Sequence, residues 1–102
     1  MTAPQRSQAA QVWLMPPFTP KPGLESPLRA ALEALQRLSR NDEGCVEYTV
    51  FADGARFVLI EGWDRQSDLD AHTTQAHVRD FVAECAELLA EPFTVTPITP
   101  LG

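Results

Sequence analysis

Two histidines, His72 and His77, stand five residues apart, shortly after a strand-like run that ends Glu61-Gly62-Trp63. These residue types suit proton transfer and the recognition of a flat ring. A histidine gains and loses a proton near neutral pH. Trp63 offers a large aromatic face with one N–H donor. Glu61 shares its strand face by the two-residue period, and an acid among apolar strand residues needs a partner or a raised pKa. Each group also has a structural reading. Trp63 suits a core residue, Glu61 suits a salt bridge across the sheet or a subunit seam, and the histidines suit helix ends. Ligating histidines on one helix prefer spacings of three or four, so no metal is expected. Cys45 and Cys85 lack the C-x-x-C spacing of zinc or redox sites and read as structural thiols.

The elements that must position these groups follow from pattern. Residues 11–15 are a short apolar run that Pro16-Pro17 stops, which predicts a short, bent or edge strand. Ser26-Pro27 reads as an N-cap followed by Pro at the first helical position. Leu28, Ala31, Leu32, Leu35 and Leu38 then recur at helical spacing. Asn41-Asp42-Glu43-Gly44 ends that helix, with Gly44 supplying a positive φ. Val46, Tyr48 and Val50 alternate with polar residues as a strand, and Asp53-Gly54 marks a hairpin turn. The return strand, 56–63, is apolar on both faces around Leu59 and is therefore expected at the centre of the sheet. Ser67 to Asp70 resembles a capping box that opens a short helix to about 73. A longer helix over 75–90 buries Val78, Phe81, Val82, Cys85, Leu88 and Leu89. A last strand is expected over 93–99.

The order β-α-β-β-α-β predicts an α+β, ferredoxin-like domain over residues 11–100, behind a loose tail at 1–10. A chain of 102 residues forms one domain. It buries only about 60–65% of its unfolded surface. Helices on one side leave the other sheet face apolar and bare, so a homodimer packed sheet to sheet, an α+β barrel, is expected. Val46, Tyr48 and Val50 are the residues expected on that face. A net charge of −6 with scattered Lys and Arg argues against nucleic acid. No apolar run reaches the roughly 18–20 residues of a membrane span, and the N-terminus lacks a secretory pattern. The expected location is cytoplasmic.

Glu43-Gly44-Cys45-Val46-Glu47-Tyr48, then Glu61-Gly62-Trp63, then Leu69-Asp70-Ala71-His72 with His77, fall at spacings that resemble the antibiotic biosynthesis monooxygenase family. The resemblance runs from about residue 22 to 97. It implies a dimeric ferredoxin-like protein that oxygenates a small aromatic molecule with molecular oxygen and no cofactor. It also implies that Glu-x-Trp lines the substrate cavity and that His72, first of the Leu-x-x-His-x-x-x-x-His pair, approaches it. His72 and Trp63 are thus the expected catalytic residues, and Tyr48, Leu59, Glu61, His77 and Phe81 the expected substrate contacts. The expected chemistry is deprotonation of a hydroquinone or phenol by His72, with the Trp63 ring stacked on the substrate and its N–H holding an oxygen.

The chain departs from some relatives. Haem-degrading members carry a Trp at the position of His72, and polyketide-oxidising members an Asn near Leu59. A non-catalytic dimeric binding module of the same fold is the rival reading, and isomerisation of a small carbonyl compound a third.

Overall fold

A computed structural model describes residues 11–102. The tail expected at 1–10 lies outside the described residues. β1 (Val12–Leu14) and β2 (Pro17–Phe18) are two halves of one strand. Both run antiparallel to β4 (Arg56–Trp63), with Trp13 opposite Gly62 and Phe18 opposite Phe57. Pro16 interrupts the ladder because it has no N–H, yet its carbonyl still accepts from Leu59 N at 3.0 Å. The strand is short and broken in two, as its prolines predicted; among the described residues β2 has β4 as its one strand partner, whereas β1 is paired on both sides. β5 (Pro97–Ile98) pairs with β1 on its far side.

β3 (Cys45–Asp53) pairs with β4 along its whole length through a two-residue turn in which Gly54 takes φ 60°. The sheet order is therefore β3, β4, β1/β2, β5, and β4 is central as expected. Three helices follow the strands: α1 (Glu25–Ser39) after β2, then α2 (Gln66–Thr73) and α3 (Ala76–Leu88) between β4 and β5. This is the ferredoxin-like α+β arrangement. None of these helices is long and apolar enough to cross a membrane.

Some local expectations fail at element ends. α1 starts at Glu25 behind Leu24, and α2 at Gln66 behind Arg65. Neither Ser26 nor Ser67 is an N-cap, and no side chain caps either helix. Within α1, Ser39 is buried while Leu38 is 43% exposed, so the buried stripe drifts by one residue at its last turn. The last strand shrinks to two residues. The stretch 90–96 is irregular and lies over the helix side of the sheet through Phe93, whose ring sits 5.1 Å from Phe18.

All helices pack on one sheet face. Phe57, Leu59, Glu61 and Trp63 of β4 point into that layer and are buried, against Leu28, Leu32 and Leu35 of α1 and Phe81 and Cys85 of α3. The bare face is a different set from the one expected. Tyr48 is buried in the core, Val50 packs against it, and the Val50 N–H donates to Gln36 Oε1 of α1 at 2.8 Å. Both therefore face the helices. A register shift between Cys45 and Glu47 breaks the alternation that grouped Val46 with them. The open face carries Trp13, Phe51, Val58 and Ile60 by strand period. The Trp13 ring lies so close to Gly62 that a Cβ there would meet it at 2.7 Å.

Candidate active site

β4 delivers Glu61 and Trp63 to the helix side one pleat apart, and their side chains meet. The Trp63 indole N–H donates to Glu61 Oε1 at 2.8 Å. Burial raises the Glu61 carboxyl above its ordinary value of 4.5, and the Trp63 hydrogen bond only partly offsets this. No cation pairs with Glu61 among the described residues, so the expected salt bridge is replaced by the indole. Tyr48, directly across the ladder from Glu61, has its phenol pushed up by burial first and by Glu61 second.

His72 is brought to this pair by α2. Its ring lies 4.5 Å from the Trp63 ring at 36° and 5.5 Å from Tyr48. Nδ1 sits 2.7 Å from Asp42 Oδ2, and His77 Nε2, at the start of α3, sits 2.9 Å from that same oxygen. A carboxylate oxygen accepts, so each facing ring nitrogen carries its hydrogen. That assigns His72 the Nδ1–H tautomer and leaves Nε2 with a lone pair. Nε2 makes no hydrogen bond with the described residues. Burial lowers the His72 pKa below 6.5 and outweighs the opposing effect of Asp42, so the ring is neutral near pH 7.

The loop that holds Asp42 is fixed by Gly44. Its φ of 79° suits glycine, and a Cβ at this position would overlap the Asp68 side chain, 2.2 Å away. Asp64 N–H donates to Gly44 carbonyl at 2.8 Å, tying the loop to the end of β4. The turn that sequence reading valued only for its glycine thus positions the carboxylate. Asp42 carried no signal of its own, being 30 residues from His72 and 35 from His77.

His72 lines a cavity of about 540 Å³ between the sheet and α2/α3. Its walls are mostly apolar, with Tyr48, Leu59, Glu61 and Phe81 deep inside, and Arg79, Val82 and Val95 also among its lining residues. Val82, expected in the helix core, is 48% exposed. Five expected site residues thus share one cavity: Tyr48, Leu59, Glu61, His72 and Phe81. Two do not. Trp63 is fully buried beneath His72 with its N–H committed to Glu61, so it neither stacks on a ligand nor donates to one. His77 is not part of the cavity wall; it faces Asp42.

The chemistry available is that of a base. An oriented imidazole with one acceptor nitrogen and a carboxyl whose pKa is raised both line an apolar, partly closed space. The thiols offer little, since burial raises both Cys45 and Cys85 to about 11. As to metals, Asp42, His72 and His77 present three donor atoms within 4.8 Å of one another. The objection from a spacing of five holds for one helix, and these histidines lie on two.

The sequence profile of the antibiotic biosynthesis monooxygenase family matches residues 14–84, from the last residue of β1 into α3. The chain belongs to the antibiotic biosynthesis monooxygenase family. Within it, the chain is 37% identical over 86 residues to the Mycobacterium tuberculosis protein named "Putative monooxygenase Rv0793", covering 82% of this chain and 85% of that one. The Rv0793 structure superposes with a TM-score of 0.84 at 35% identity, over 91% of this chain and 97% of the other. Pseudomonas aeruginosa PA3566 gives a TM-score of 0.84 at 26% identity, over 91% and 96%. A protein from Methanosarcina mazei reaches 0.84 at only 16% identity, over 93% and 97%, and so shares the fold alone. A monooxygenase-type function follows from the family.

Proposed function

We propose that the protein oxygenates a small hydroquinone- or phenol-like aromatic with molecular oxygen, and that His72 is the base. One observation carries this reading. Asp42 holds the His72 Nδ1–H at 2.7 Å while Nε2 is left as an unpartnered acceptor on a ring that lines an apolar cavity. A carboxylate behind an imidazole fixes its tautomer and stabilises the imidazolium once it takes a proton.

In the proposed reaction Nε2 accepts the phenolic proton. The electron-rich anion passes one electron to oxygen, and the radical pair combines at a ring carbon. The imidazolium returns its proton to give a hydroperoxide. His72 then removes the hydrogen on that carbon as the O–O bond breaks, and the departing hydroxide leaves as water. One oxygen atom enters the ring, the other becomes water, and the substrate supplies all the electrons. The apolar walls around Leu59 and Phe81 keep bulk water from the radical and peroxide. Trp63 acts through others as a positioning residue, supporting the His72 ring and orienting Glu61.

We further propose a homodimer through the open sheet face, because Trp13, Phe51, Val58 and Ile60 form an apolar surface that one small domain cannot cover. The rival reading, a binding module without chemistry, draws support from Leu59, which is apolar where polyketide-oxidising relatives are expected to place an amide. Oxygen uptake with a panel of quinols, naphthols and anthrones, without metal or flavin, separates the two. Turnover that collapses in His72→Ala supports the oxygenase. Tight binding of these compounds with no oxygen consumed supports the module, and turnover without oxygen supports isomerisation.

A further inference from the structure

We propose that Asp42, His72 and His77 form a binding site for a first-row divalent cation such as Zn²⁺, and that its occupancy converts His72 Nε2 from acceptor to donor. The donor set is two imidazole nitrogens and one carboxylate oxygen, a combination that suits zinc and its neighbours. The three atoms lie within 4.8 Å of one another and come from three separate elements: the α1–β3 loop, α2 and α3. Packing holds them in place, with side-chain exposures of 11% for Asp42, 4% for His72 and 17% for His77.

A cation about 2.0–2.2 Å from each donor needs neighbouring donors roughly 3 Å apart or slightly more. Asp42 Oδ2 now lies 2.7 and 2.9 Å from the two ring nitrogens, where their hydrogens point, so the carboxylate draws back from both rings to admit the ion between the three donors. Three protein donors leave at least one position for water.

Ligation at this site would change the tautomer of His72. A neutral imidazole carries one N–H. When the cation takes Nδ1 of His72, the hydrogen moves to Nε2, and no proton is released. His77 changes in the opposite sense: it ligates through Nε2, and its hydrogen moves to Nδ1. The cavity-lining ring of His72 would then present a donor, which cannot accept a phenolic proton. The site itself does not depend on the proposed oxygenase; only its effect on turnover rests on that reading.

The test uses chelator-treated full-length protein, with Zn²⁺ alone followed by calorimetry and Co²⁺ alone followed by its visible d–d absorption. One saturable cation per chain is expected. His77→Gln and Asp42→Asn should each weaken binding by at least the roughly 100-fold that loss of even an outer partner can cost a metal site. His77 is the more exposed of the two histidines, so His77→Gln is the variant better placed to keep its fold, and circular dichroism checks this. Nitrogen-15 NMR should show the His72 hydrogen on Nδ1 without Zn²⁺ and on Nε2 with it. Absence of saturable uptake, or affinity unchanged in His77→Gln, overturns the site. Uptake with the His72 hydrogen remaining on Nδ1 overturns the conversion. Because neither readout uses turnover, a failure here is distinct from failure of the oxygenase.

Discussion

The two faces of β4 carry similar residues to different ends. Toward the helices, Phe57, Leu59, Glu61 and Trp63 are at most 6% exposed. On the other side, Val58 and Ile60 are only partly covered, and Phe51 beside them on β3 is half exposed. The covered face uses burial to shift its polar groups. Desolvation keeps His72 neutral and makes Glu61 and Tyr48 reluctant to ionise. The open face has no such groups on β4 and presents only area. The proposed site and the proposed dimer face are thus separated by one residue of register, and a one-residue slip would exchange them.

The largest effect is expected from His72→Ala. Losing a general base should cost about 10²–10⁴-fold in turnover, measured by oxygen uptake. Part of the loss should return at high pH, where the substrate ionises unaided. His77→Ala should cost far less, because Asp42 keeps its bond to His72. Equal losses in the two variants would show that the junction is structural.

Trp63→Ala should destabilise the protein by about 3–5 kcal/mol in denaturant titrations, the range for a fully buried large ring. Trp63→Phe should cost less stability yet remove the donor to Glu61. The Glu61 carboxyl should then titrate still higher, as carbon-13 NMR can show, because that hydrogen bond favours its charged form.

On the open face, Phe51→Asp should convert a dimer to a folded monomer by light scattering while circular dichroism is unchanged. A wild-type mass of one chain at micromolar concentration would sink the dimer outright. The smallest effect is on pH. The folded His72 pKa lies below 6.5, so between that value and 6.5 the unfolded chain binds more protons. Stability should therefore rise with pH through that window, level off above 6.5, and fall as pH drops through the folded pKa. His72→Gln should remove this component of the slope. Activity should likewise be lost on the acid side only.

Local pattern in the sequence was enough to set the order of the elements and which residues of β4 share a face. The period-two pattern of β4, the turn at Gly54 and the helical spacing of Leu28, Leu32 and Leu35 gave the ferredoxin-like order, and the pairing of Glu61 with Trp63 followed from strand period. These are signals between near neighbours, so they survive in a one-dimensional reading. Tertiary structure decided the rest. Packing, not local capping, set the starts of α1 and α2. A bulge at Cys45/Glu47 separated Val46 from Tyr48 and reassigned the open face. Most of all, Asp42 became the partner of both histidines only because Gly44 turns its loop back against α2. A contact spanning 30 residues leaves no periodic trace, and an acid in a polar turn is indistinguishable from a solvated one until the chain folds.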